Sequence, residues 1–199
     1  MTEWRRWAGI FVLAGMSLGA AAQEPQTAVP PQLAEQAREV AAAFAGTLGQ
    51  TLRAQLETSG PVAAISVCRD LAPAIARDLS LQKGWRVTRV SLKPRNPLLG
   101  SADAFEQTVL RAFDAAVVGG ADPATLDRVE IATEPDGTYF RYLKALPTAP
   151  ACLTCHGPRN ALPPGVADSL ATQYPHDRAT GYAAGSVRGA ISIKVRLEP

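Results

Sequence analysis

Cys152-Leu153-Thr154-Cys155-His156 places two thiols and an imidazole within five residues, the CxxCH spacing at which a chain captures haem covalently. In that chemistry the thiols add across the two porphyrin vinyl groups, and the adjoining imidazole lies under the iron as its proximal ligand. Gly157 follows, so the backbone can turn away from a crowded porphyrin edge without a side-chain clash. The same five residues could be a thioredoxin-like redox pair or half of a zinc site. The first needs a βαβ setting and the second needs four ligands, commonly with a second paired motif. Outside the motif the chain offers only Cys68 and His176.

The sixth iron position is then the open question. Methionine is excluded by inventory, because Met1 and Met16 both lie in the N-terminal segment read below as a cleaved signal. Four possibilities remain: Cys68, His176, a lysine, or an open site with water. Cys68 is favoured as an unpaired thiol, since thiolate is a good iron ligand, although buried free cysteines are also ordinary small hydrophobes. His176 sits in the polar turn Tyr174-Pro175-His176-Asp177, and lysine must be desolvated and deprotonated to bind.

Residues 1–22 carry the pattern of a secretory signal. Arg5 and Arg6 give the positive start, Trp7 to Gly19 the apolar run, and Ala20-Ala21-Ala22 the small-residue cleavage site. The run is shorter than the ~20 apolar residues that cross a bilayer, so cleavage, with no membrane span after it, is expected over the alternative of an uncleaved membrane anchor. Export to the periplasm suits haem attachment, which takes place outside the bacterial cytoplasm. Cleavage takes basic residues from 20 to 18 and acidic ones from 18 to 17, leaving a near-neutral chain. Such a balance argues against a nucleic-acid or membrane-surface partner.

A leader at 23–31 precedes one expected domain at 32–199. Leu33, Ala37, Val40, Ala41, Phe44, Leu48, Leu52 and Leu56 recur at helical spacing, and this helix should end near Ser59-Gly60. A second helix after Pro61 puts Val62, Ile65, Cys68, Ala72 and Ile75 on one side. Trp85 to Leu92 alternates as a strand, Asp103 to Val118 returns to helical spacing, and Gly165 to Gln173 suits a short helix. Pro135-Asp136-Gly137 divides Arg128–Glu134 from Thr138–Leu146 as a hairpin turn. In the last strand Val187, Gly189, Ile191, Ile193, Val195 and Leu197 should face one way and Arg188, Ser192, Lys194 and Arg196 the other. The sum is an α+β domain with a mostly antiparallel sheet, half-covered and able to hold a flat cofactor under a helix.

Cys68 in Ala64-Ile65-Ser66-Val67-Cys68, the stretch Ser91-Leu92-Lys93-Pro94-Arg95-Asn96-Pro97, the CxxCH with Gly157, Tyr174-Pro175, Gly181-Tyr182, Gly185 and Arg188-Gly189-Ala190 occur in that order. The ordered set resembles the PAS-like single-haem c-type cytochrome domain family, formerly a domain of unknown function, over about Leu33 to Leu197. The resemblance implies a PAS-like antiparallel sheet packed with helices, one covalent haem c, and axial ligation by His156 and Cys68. It also implies redox or small-ligand sensing. One local departure is Leu98-Leu99-Gly100, where the family usually has a polar residue. Lys93 and Arg95 are the candidate partners of the haem propionates, which suit a cationic fork.

The functional expectation is a low-potential monohaem cytochrome that transfers electrons or reports redox state to a separate redox or signalling partner, because thiolate favours ferric iron. The alternative is a gas or redox sensor whose cysteine leaves the iron on reduction. An enzyme such as a peroxidase is not expected: it needs a vacant distal site, and His176 is the one remaining histidine base.

Overall fold

The structure is a computed structural model that describes residues 28–198. The expected signal at 1–22 and the first part of the leader lie outside those residues. Helix α1 (Pro31–Ser66) opens on Pro31, where a missing N–H leaves no helical hydrogen bond unmade. Its stripe of Ala34, Ala37, Val40, Ala41 and Phe44 is buried, and removing a side chain like Phe44 from water contributes about 1.5–3 kcal/mol. At Gly60 the backbone leaves the helical region, with φ 77° and ψ 179°, and the helix restarts at Pro61. The break expected at Ser59-Gly60 is there.

The restarted helix runs into a single π-helical turn, Val67–Leu71, before α2 (Ala72–Lys83). Pro73 accounts for the wider turn, since it has no N–H for the Arg69 carbonyl and its ring would crowd that group. Cys68 sits inside this turn.

Four strands, β1 (Arg86–Val90), β2 (Asp127–Glu134), β3 (Gly137–Pro147) and β4 (Val187–Arg196), form one antiparallel sheet in the order β1-β4-β3-β2. Between β1 and β2 lie the short α3 (Pro97–Gly100) and α4 (Ala104–Val118), and between β3 and β4 lie α5 (Leu153–His156) and α6 (Pro164–Gln173). Among the described residues no helix is long and apolar enough to cross a membrane.

Both faces of the sheet are covered, which corrects the half-covered sheet expected from the alternation in β4. On one face Val87, Phe140, Tyr142, Ile191 and Ile193 pack under α1 and α2. On the other, Val90, Leu143, Ala145 and Ala190 pack under Val109, Leu110 and Phe113 of α4. The polar residues of that second face misled the reading because their partners are distant in sequence. Arg141 is 1% exposed and is paired with Asp103 at 2.7 Å and Glu106 at 3.4 Å, and also with Glu134. Ser192 donates to Glu106 at 2.6 Å. Asp103 and Glu106 also form the capping box that starts α4, so the same two carboxylates begin the helix and fasten it to the sheet.

A second correction concerns the start of β4. Leu146 pairs with Gly189 and Pro147 with Val187, so Arg188 is skipped in the register as a β-bulge. The skip reverses the expected facing: Val187 joins the cluster under α4, and Arg188 turns to the opposite side. Gly189 makes this possible. Its φ is 159°, and a Cβ there would lie 2.3 Å from the Val90 carbonyl oxygen.

Candidate functional site

A cavity of about 470 Å³ lies between the α1/α2 face of the sheet and the segment carrying α5. This is within the size range of cofactor pockets. Phe44, Leu48, Leu52, Leu56 and Ile65 supply an apolar wall from α1, and Cys68 enters from the π-turn. Cys152, Cys155 and His156 form another part of the lining, so the four residues singled out from the sequence share one space. All three cysteines are free thiols, partly buried. Burial raises the Cys155 thiol above its ordinary value, with the Arg95 charge opposing that.

The short helix α5 is held from behind. Its Gly157 must be small, because a Cβ would lie 2.6 Å from the Leu153 carbonyl oxygen. The backbone N–H groups of Gly181 and Tyr182 donate to the carbonyls of Gly157 and His156 at 2.8 and 3.0 Å. The Tyr182 ring meets the His156 ring edge-on, with centroids 6.2 Å apart.

His156 Nδ1 donates to the Ala179 carbonyl at 2.7 Å, which assigns its proton and leaves the Nε2 lone pair as the donor to a metal. Burial holds its pKa well below the usual imidazole value, and the positive charges of Arg188 and Arg95 push the same way. A neutral imidazole is the ligating form. The Ala179 carbonyl is itself placed by Asp177, whose Oδ1 accepts from the Ala179 N–H at 2.7 Å and whose Oδ2 pairs with Arg95 Nε at 3.3 Å.

Of the two expected carboxylate partners, Arg95 lines the cavity, yet its Nη2 donates to the Cys155 and Ala179 carbonyls and its charge is paired with Asp177, whose Oδ2 lies 3.3 Å from an Nε that makes no hydrogen bond. It braces the CxxCH segment. Lys93 is not among the cavity-lining residues: its ammonium donates to the Thr180 carbonyl at 2.9 Å and lies 4.2 Å from the Tyr182 ring centroid. His176 is exposed and away from the cavity. Sequence reasoning missed Arg188, Arg89, Asp177 and the Ala179 carbonyl. The Arg188-Gly189 pair was a readable signal, since glycine inside a strand often marks a bulge.

Among the described residues no three His, Cys, Asp or Glu side chains gather as they would around a bare metal ion. One imidazole and one thiol on a large, mostly apolar cavity instead fit an iron whose other ligands arrive with a flat organic group. Two further thiols, Cys152 and Cys155, stand at the wall. An α+β fold with this cavity and this donor set defines the class, a domain built around a macrocyclic metal cofactor.

The comparisons agree with that class. The chain belongs to the Tll0287-like family, whose model matches residues 26–196, and this bears out the resemblance drawn from the ordered motifs. Its fold is similar to a solved structure described as the cyanobacterial heme-protein Tll0287, with a TM-score of 0.61 and 26% sequence identity, over 86% of this chain and 98% of that one. No curated protein matches it.

Proposed function

We propose that this protein is an exported, low-potential monohaem c-type cytochrome of PAS-like fold, with haem tethered through Cys152 and Cys155 and its iron held between His156 and Cys68. The observation that carries the reading is the meeting of those four side chains, drawn from two segments more than 80 residues apart, on one cavity. Likeness to a structure described as a heme-protein adds to it. When bound, haem supplies one-electron chemistry at its iron. The chain's part is to orient His156 through Ala179, to present a thiolate from the π-turn, and to exclude water with the α1 wall. A strong anionic donor stabilises the ferric state and holds the potential down. Two axial side chains leave no position for substrate, which favours electron transfer or redox reporting to a partner protein over catalysis.

The test is direct. Mature protein made with a haem-attachment system is expected to keep its haem through acid-acetone extraction, and haem found entirely in the organic layer would refute attachment. Carbon monoxide then separates the two roles. A reduced protein that ignores it retains its sixth ligand as a carrier does; rapid binding would mean that Cys68 leaves the iron on reduction, as in the sensor alternative.

A further inference from the structure

Five arginines line the cavity, Arg69, Arg77, Arg89, Arg95 and Arg188, and among the described residues no aspartate or glutamate does. Three of them already have a carboxylate: Arg69 pairs with Asp70, Arg77 with Asp78 and Arg95 with Asp177. Arg89 and Arg188 have no acidic partner among the described residues. The Arg188 guanidinium rests on neutral groups, the Ser91 hydroxyl at 3.0 Å, the Tyr182 hydroxyl at 3.5 Å and the His156 ring at 3.2 to 3.4 Å.

Nothing in β4 requires an arginine to face this way. Simple alternation would send Arg188 under α4, into the apolar cluster of Val109, Leu110 and Phe113. The one-residue bulge, together with the close approach that only glycine allows at position 189, turns it into the cavity instead. A fold that turns a cation into a cavity without acids, and leaves a second unpaired one on the same cavity, provides a site for an anion from outside the chain. Two arginines match two carboxylates in number, and the Arg188 Nη2 has no partner among the described residues.

We propose that Arg188, aimed by the β4 bulge, and Arg89 form the clamp for the two haem carboxylates. This role replaces the one expected for Lys93 and Arg95, and it rests on the haem reading above. The clamp keeps both carboxylates ionised.

The test uses holoprotein, as wild type, Arg188→Ala, Arg188→Lys and Arg89→Ala, with the reduction potential followed from about pH 5 to about pH 9. In the wild type the carboxylates stay ionised and the potential is expected to be nearly flat. Loss of either guanidinium is expected to lower the potential, since a positive charge near iron favours the reduced state. It is also expected to introduce a pH-dependent step, as a carboxylate stripped of its cation titrates within the range. Arg188→Lys is expected to fall between. If Arg188→Ala yields no holoprotein, Arg89→Ala and Arg188→Lys decide. Alanine variants that trace the wild-type curve overturn the clamp, and so does a lowered potential with an unchanged pH profile, which would mark an effect passed through His156. Wild-type protein that carries no haem overturns the underlying reading, and the clamp with it.

Discussion

Cys68→Ser is expected to keep haem attached at Cys152 and Cys155 while raising the reduction potential and abolishing the ferric thiolate spectrum. Cys152 and Cys155 lie in another segment, braced by Arg95, Gly181 and Tyr182, so the substitution leaves them in place. Serine removes an anionic sulfur donor from the ferric iron. The upward shift is expected to be at least about 60 mV, the change that matches a tenfold difference in a one-electron equilibrium. His176→Ala is expected to change neither spectrum nor potential, because His176 is exposed and does not line the cavity. An unchanged potential in Cys68→Ser would reduce Cys68 to a small apolar residue of the wall.

Arg141→Ala is expected to lower the unfolding free energy by about 3–5 kcal/mol, the usual consequence of removing one partner from a buried ion pair. Here Glu106, 1% exposed, would lose a cation it cannot replace with water. Adding Glu106→Gln is expected to recover part of the loss, since the stranded carboxylate is then gone, and denaturant titration of the single and double variants measures the coupling. An Arg141→Ala protein as stable as the wild type would contradict the assignment. The same cluster sets an acid limit. Burial works against ionisation of Asp103 and Glu134. Even so, the Glu106 N–H with Arg141 at Asp103, and Lys194 with Arg141 at Glu134, hold both carboxyl groups below their ordinary values of 3.8 and 4.5. Their contribution is therefore complete above those values and is lost as pH falls through the lower folded ones.

Much of this was legible because it is local. The α1 stripe, the break at Gly60-Pro61, the hairpin around Asp136 and α4 each declare themselves within a few turns of chain. CxxCH does so in five residues. What was not legible depends on pairing at a distance. Arg141, Ser192 and Lys194 look like a solvated strand face until Asp103, Glu106 and Glu134 are brought against them. The bulge at Arg188 puts Val187 and Arg188 on the opposite sides from those expected without disturbing the alternation that follows it. Lys93 and Arg95 looked available because a basic turn in sequence does not show the carbonyls of Cys155, Ala179 and Thr180 that take up its donors. Cys68 was placed inward by helical spacing alone. The π-turn that carries it was not expected, although Pro73 five residues later was the physical reason for it.

Iron K-edge absorption of the ferric holoprotein addresses the central claim most directly, because sulfur and nitrogen scatter differently at their bonding distances. With iron held between His156 and Cys68, the spectrum is expected to require one axial sulfur beside the nitrogen shell in the wild type, and none in Cys68→Ser. A wild-type first shell fitted by nitrogen alone, or a sulfur contribution that survives Cys68→Ser, would contradict the assignment.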